Sequence, residues 1–371
     1  MAIASSRMLI PPLLPNIEAE FDIPHAQAAL LMSSYLLPYA MIQIPAGILS
    51  DKFGNKRFII LAMIGASAGS SLIIFTSTFN QALAVRLFSG TLSGLYYAAS
   101  TKVITKYASS LRQGRVLGLA FSGSSVANLL IYVAVASSKS EIGWRYFFVI
   151  SSLPGFLCLA LSFFIKEMKE KNMLEDVNRH NFMKYLKNRF LIFALTSYLL
   201  MSLANWGLTA FIPTYLVKER GLTVADSSAA MIIYAASSIF NSFSSGYVTD
   251  RFGFKISMVA SGITMCLVSF FLPLLPLGGF YWLLLILWGL IGGWSFTALN
   301  IFVINTFPKN LHGTFLGTLN QIGFISATIG PPLFGLMIDV TGFESFFSLA
   351  LVLYVASFFI TLLIKGQIRS F

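Results

Sequence analysis

The chain has 371 residues, 56% of them hydrophobic and only 11% charged. That balance leaves too little polar surface to cover a soluble globule of this length, which excludes a water-soluble domain and indicates a membrane protein. The net charge of +11 must then be explained by where the cations fall along the chain.

Cutting the sequence at charges and turn residues leaves twelve apolar segments, near 1–17, 27–50, 58–77, 81–105, 114–136, 144–165, 190–216, 226–249, 256–275, 280–307, 312–338 and 344–365. Most hold about 20 residues, enough to cross roughly 30 Å of hydrocarbon as a helix. Glycines and prolines break the runs, and the ten-residue alternation of a membrane barrel is absent, so the predicted fold is an all-α integral membrane protein of twelve transmembrane helices.

In chain order, segment 1 contains "RMLIPPLLPNI", with Arg7 about 15 Å from the far end of its helix near Ile17 and therefore near the middle of the bilayer. Segments 2 and 3 are joined by a charged turn, "GILSDKFGNKR", with Gly47, Asp51, Lys52, Gly54 and Arg57. Segment 3 holds "GASAG" (65–69); segment 4 holds "RLFSGTLSG" (86–94), with Arg86 about 8 Å deep; "GWRYFF" (143–148) opens segment 6. A polar stretch at 166–189 is the one long hydrophilic connection, and it divides six segments from six. Segment 7 carries Tyr198, Ser202, Asn205 and Thr209 at spacings that put them on one helix face, with Trp206 beside them. "GYVTDRFGFK", with Asp250 and Arg251, joins segments 8 and 9, while segment 10 offers Asn300 and segment 11 Asn320 and Gln321. Such polar stripes also serve as interhelical glue.

If the N-terminus is cytoplasmic, 19 of the 25 Lys and Arg fall on that side and four (Lys139, Arg145, Lys218, Arg220) on the other. This bias places both termini and the 166–189 connection inside a cytoplasmic membrane. The positive charge is thus a topological signature, with some attraction to anionic lipid, and not a nucleic-acid footprint.

The two sets of six segments are a repeat. At the single offset of 199, Gly47, Gly54, Gly90, Gly94, Gly114, Gly118 and Gly143 meet Gly246, Gly253, Gly289, Gly293, Gly313, Gly317 and Gly342, seven pairs where about one is expected by chance. Asp51 also meets Asp250, Lys56 meets Lys255 and Tyr35 meets Tyr234. An even number of helices in each half makes the repeat parallel, giving two six-helix bundles, 1–165 and 190–371, related by a pseudo-twofold axis. The glycine pairs themselves report close helix packing. Helix 7 begins near Phe190, which corresponds to nine residues before Met1, so helix 1 is expected to be about nine residues short, either by truncation or as a stunted helix.

The turn G-x-x-x-D-K/R-x-G-x-K/R, its weaker second copy, the Arg-containing stretch of segment 4 and the opening of segment 6 resemble the major facilitator superfamily of secondary transporters. The resemblance covers nearly the whole chain. It implies a rocker-switch transporter that is monomeric, has no cofactor and is not an enzyme. It further implies that Asp51 faces the start of segment 11 and Asp250 the start of segment 5. Gly47, Asp51, Lys52, Gly54, Arg57, Asp250 and Arg251 would together latch the cytoplasmic ends of the halves.

The substrate is read from the cations. All 14 acidic residues map to segment ends or loops, which leaves no carboxylate for the bilayer centre and no obvious proton relay. Arg7 and Arg86 remain inside, and a guanidinium pairs with carboxylate or phosphate in a fork. Arg7 and Pro15 also resemble the segment-1 motif of the anion-cation symporter branch of the family. Trp206, the repeat partner of Arg7, stands where some organic-phosphate carriers have a second arginine, which favours a small carboxylate. The predicted substrate-binding set is Arg7, Arg86, Tyr35, Asn205, Trp206, Asn300 and Asn320. Against this, Arg86 matches a position the family carries whatever its substrate, and Arg7 could instead snorkel to an interface or bind backbone carbonyls.

Catalytic readings find little. "GASAG" fits a nucleophile-elbow pattern but lies inside a transmembrane segment; His25, His180 and His312 are scattered, and Cys158 and Cys266 form no redox or metal motif. No phosphate-cradling loop for a nucleotide occurs. Three readings stay open: a carrier of small organic anions with a coupling proton or cation, an efflux carrier for amphipathic compounds suggested by the 35 phenylalanines, and a transport-inactive receptor or scaffold on the same fold.

Overall fold

The computed structural model describes residues 2–107, 113–138, 142–165, 189–307 and 309–364. The 166–188 part of the polar connection lies outside them, as do the side chain of Asp51 and those at the starts of segments 5 and 11. Among the described residues there is no strand, and every apolar segment is helical.

Segment 1 is two helices, α1 (Ala2–Met8) and α2 (Ile10–Phe21). The break at Leu9 follows from Pro11 and Pro12, which have no N–H to give the carbonyls of Arg7 and Met8. Segment 2 is α3 (His25–Phe53), started by Pro24 in extended conformation. Segment 3 is α4 (Asn55–Ile64), which continues through a π-helical turn at Gly65–Gly69 and a 3-10 turn at Leu72–Phe75. Segment 4 is α5 (Phe79–Gly94) and α6 (Tyr96–Tyr107). A capping box starts α5: the Thr78 hydroxyl accepts from Gln81 N while Gln81 Oε1 accepts from Thr78 N. Segments 5 and 6 are α7 (Gln113–Ser137) and α8 (Trp144–Ser162).

Segments 7, 8 and 9 are α9 (Arg189–Lys218), α10 (Val224–Phe252) and α11 (Phe254–Phe271). Segment 10 is α12 (Gly279–Ile291) and α13 (Trp294–Thr306), and segments 11 and 12 are α14 (Lys309–Thr341) and α15 (Phe343–Leu363). Seven of these spans are individually long and apolar enough to cross a membrane. Phe75, Phe164, Phe243 and Phe280 are exposed, as lipid-facing side chains can be and as the surface of a soluble protein could ill tolerate.

Packing divides the chain into two compact units, Met1–Met173 with Ala210–Ile232, and Leu174–Thr209 with Ile233–Phe371. The first is centred on Phe58, Ile59, Met63, Leu95 and Ala99, the second on Tyr198, Met258, Leu299, Phe302 and Phe315.

The repeat reappears inside each unit as the same contacts at the same offset. A Cβ on Gly90 would lie 2.2 Å from the carbonyl oxygen of Tyr35, and one on Gly289 would lie 2.4 Å from that of Tyr234. Segments 2 and 4, like 8 and 10, therefore touch backbone to backbone, and glycine is what permits it. Segment 4 kinks after Gly94 and segment 10 at Gly293. In the charged turns, Gly54 and Gly253 take φ of +96° and +88°, a conformation disfavoured for residues with a Cβ, and end α3 and α10 alike. The turn lysines then reach the same place: Lys56 Nζ donates to Phe163 O at 2.7 Å, and Lys255 Nζ to Leu362 O at 3.0 Å and Ile364 O at 2.8 Å. Each caps the carbonyl end of its unit's sixth segment, where a cation is favoured by the helix dipole.

"GASAG" packs as small residues do, but in a π turn. A Cβ on Gly65 would meet Leu92 at 2.4 Å, one on Gly69 would meet Ser89 at 2.5 Å, and the Cβ of Ser67 lies against Gly155.

Candidate functional site

Within the first unit the polar interior is built where α1 breaks. Arg86, on α5, is 1% exposed. Its Nη1 donates to Ser6 O at 2.8 Å and its Nε to Leu31 O at 3.1 Å, so one guanidinium bridges segments 1 and 2. The helix ends two residues after Ser6, and the carbonyl freed there is taken by the arginine. The guanidinium lies 4.3 Å from the ring centre of Tyr35 and 5.6 Å from that of Phe148, in cation–π range of both. Its Nη2 is buried with no hydrogen-bond partner.

Arg7, one residue on from Ser6, is partly buried, and its Nε is likewise buried without a partner. The Tyr35 hydroxyl is buried without a hydrogen-bond partner. Its ring stacks on that of Tyr39 at 6.0 Å. Of the predicted binding residues, Arg86 and Tyr35 are thus in contact, and Arg7 directly follows Ser6, whose carbonyl Arg86 holds.

The remaining predicted binding residues lie in the second unit. Asn205 Oδ1 accepts from Trp288 Nε1 at 2.9 Å, and the Trp288 ring lies 4.3 Å from that of Tyr234. Trp206 packs where Gly330 leaves room for its Cβ, 3.3 Å from the position a Gly330 Cβ would take. Asn300 Nδ2 donates to Phe296 O in its own helix at 2.8 Å, and Asn320 is half-buried on α14. Of the turn residues, Lys52 and Arg57 are exposed, Gly47 is partly buried and Gly54 buried. Asp250 is exposed, and Arg251 donates to Tyr247 Oη at 2.6 Å.

One constellation has no sequence precedent. Glu18, near the end of α2, is 4% exposed and is the one buried carboxylate among the described residues. His25 Nδ1 lies 2.7 Å from its Oε1, and Lys218 Nζ lies 2.8 Å from its Oε2, off the line of a hydrogen bond. Neighbouring Glu20 accepts from Trp144 Nε1 at 2.6 Å and pairs with Arg145, whose Nε donates to Thr76 O at 3.1 Å. These contacts give "GWRYFF" its use, joining the start of α8 to the ends of segments 1 and 3. Position alone placed Glu18 among solvent-facing end residues. The turn of three residues between α2 and α3, with Pro24 fixing the start of α3, is the sequence signal that folds His25 back on it.

Among the described residues, helical segments with exposed phenylalanines, an internal repeat and a buried polar interior mark a multi-pass membrane protein. The sequence pattern of the Major Facilitator Superfamily matches residues 1–331, and the chain belongs to that family, whose members are transporters and not enzymes. It is similar to a cis,cis-muconate transport protein of Acinetobacter baylyi, 24% identical over 89% of this chain and 83% of that one. It is similar also to a hexuronate transporter of Bacillus subtilis, 23% identical over 91% and 85% of the two chains. A crystal structure of a nucleoside transporter superposes with a TM-score of 0.80 at 13% identity, covering 99% of this chain and 98% of the other, a likeness of fold alone.

Proposed function

We propose that the protein is a secondary transporter of small organic anions, carboxylates above all, working by rocker-switch alternating access in the cytoplasmic membrane with both termini inside. The reading is carried by one observation: Arg86, which lies over the Tyr35 ring and holds the Ser6 carbonyl, and Arg7, the residue after Ser6, each keep a buried guanidinium nitrogen with no protein acceptor. A buried donor left unmade is costly, so a site that presents two is completed by a ligand that brings acceptors. A carboxylate brings them with a compensating charge. The muconate and hexuronate transporters among its relatives are named for carboxylate substrates, which supports the class without selecting a member. In this reading 1–165 and 190–371 are the two rocking halves, 166–189 links them, and the charged turns form the cytoplasmic latch, with Asp51 and Asp250 each at a helix start of the opposite half. The C-terminal half adds Asn205, Trp206, Asn300 and Asn320 as neutral contacts.

The test is thermal stabilisation of the purified protein by cis,cis-muconate, a monocarboxylate, a sugar phosphate and a lipophilic cation, since a ligand that binds only the folded state raises Tm by mass action. Carboxylates are expected to raise Tm by several degrees in the wild type and by nothing in Arg7→Ala. Stabilisation by the cation alone, or an unchanged carboxylate response in Arg7→Ala, overturns the anion reading in favour of efflux of amphipathic compounds.

A further inference from the structure

The π turn at Gly65–Gly69 has no counterpart in the second unit, where α11 runs from Phe254 to Phe271 as an unbroken α-helix. A π turn holds one residue more than an α turn, so each side chain after it is rotated by about 100° from where a regular helix would put it. Glycine gives the wider turn its room on both sides. Gly69 lies against Ser89, where a Cβ would be 2.5 Å from the hydroxyl, and Ser67 lies against Gly155 of α8. The repeat counterpart of Gly155 is Tyr354, whose ring is fully buried.

Two consecutive serines follow the turn, and they bond to different neighbours. Ser70 Oγ lies 2.5 Å from Ser6 Oγ of α1, and Ser71 Oγ lies 2.8 Å from Ser152 Oγ of α8. At the equivalent places the second unit has Ser269, buried with no partner for its hydroxyl, and Phe270, which is exposed. Asn205, the counterpart of Ser6, is bonded to Trp288 instead. The same serine thus reaches the first segment of its half only in the unit that has the π turn, which is also the unit that buries arginine.

From this we infer that Ser70 is a positioning residue of the anion site proposed above: through Ser6 it fixes the anchor on which Arg86 and Arg7 are set. The guanidinium is planar, so two occupied N–H groups determine where the rest point. One anchor, Leu31 O, lies inside the long helix α3 and is held by that helix. The other, Ser6 O, lies two residues from the end of the seven-residue α1, at a break where helical hydrogen bonds do not hold it. Ser70 supplies that hold. Arg86 Nη1 also reaches Ser6 Oγ, at 3.5 Å; an arginine only donates, which leaves the Ser6 proton for Ser70. The Ser6 carbonyl belongs to the rigid peptide unit that ends at the Arg7 nitrogen, so one hydroxyl contact sets the roots of both cations. Arg86 Nη2 and Arg7 Nε, the buried nitrogens without a protein acceptor, are the groups whose placement depends on it.

The inference rests on the anion reading, and its test separates the two. Kd values for cis,cis-muconate and for glucuronate are measured by titration calorimetry on full-length, detergent-solubilised protein, alongside Tm without ligand. Ser70→Ala and Ser6→Ala should each weaken binding about 5- to 10-fold, the worth of one neutral hydrogen bond. The double variant should be no weaker than either, because both changes remove one contact. Ser71→Ala is the control: it cuts the bond to Ser152 one residue away, should lower Tm about as much as Ser70→Ala, and should leave both Kd values unchanged. Ser70→Ala binding as tightly as wild type, losses that add in the double variant, or Ser71→Ala weakening binding as much as Ser70→Ala each overturns the inference and leaves the anion reading in place. A wild-type protein that binds neither carboxylate overturns both. If Ser70→Ala fails to fold, Ser6→Ala compared with Ser71→Ala carries the test. Failure of both Ser70→Ala and Ser6→Ala to fold, with Ser71→Ala folded, makes the contact part of the scaffold and overturns the inference as well.

Discussion

Tyr35 and Tyr234 occupy equivalent places in the two halves, each with its backbone against a glycine of the segment two further on, yet their rings meet different chemistry. Tyr35 faces the guanidinium of Arg86 at 4.3 Å; Tyr234 faces the indole of Trp288 at 4.3 Å. The first half buries a cation whose donors hold a broken helix together. The second buries a neutral aromatic pair tied by one hydrogen bond to Asn205. A duplicated backbone has thus been kept while its interior has diverged, which is why the anion reading rests on the first half alone. The backbone contacts are common property, and the side chains that meet there are not.

The comparison is broken most forcefully at its shared part. Gly90→Ala and Gly289→Ala each place a methyl within 2.4 Å of a backbone oxygen, a clash that no side-chain rotation relieves, and each is expected to cost about 3 kcal/mol or to prevent folding. Detergent-solubilised yield and Tm measure it, and a wild-type Tm in either variant would show that the two scaffolds are not held the same way. Next comes the divergent part. Arg86→Met should cost about 2 kcal/mol by leaving Ser6 O and Leu31 O without their arginine, whereas Trp288→Phe, which keeps most of the aromatic packing, should cost about 1 kcal/mol for the hydrogen bond to Asn205. Only Arg86→Met should also weaken carboxylate stabilisation, because it alone removes a charge from the Arg7–Tyr35 group. Equal ligand responses in the two variants would contradict the assignment. The smallest effects are expected from Lys56→Met and Lys255→Met, roughly 0.5 kcal/mol each for a partly exposed cation at a helix end. Their near equality would confirm that the turn lysines do the same work in both halves.

Much of this was legible without coordinates. Twelve apolar runs, seven glycine pairs at one offset and a repeated charged turn lead to the family, because hydrocarbon thickness fixes helix length and close packing of helices demands small residues. The candidate cations were legible too, since a guanidinium within an apolar run has few purposes. Partnership was less so. That Arg86 is occupied by two carbonyls and two rings, while Arg7 keeps a free Nε, depends on which turns of α1 and α3 approach α5. The Lys56 and Lys255 caps reach across 107 residues of chain.

Glu18 marks the limit most clearly. By position it is one more acidic residue at the end of a helix, in reach of water like the exposed Asp22 four residues later. The sequence by itself determined the fold class, the repeat and the family, since these follow from length, polarity and spacing, which are properties of the linear chain. Tertiary structure alone decided that Glu18 is buried, that its cation comes from Lys218 200 residues away and that His25 shares it. Burial and charge pairing depend on which segments meet in space, and no spacing along the chain encodes that meeting.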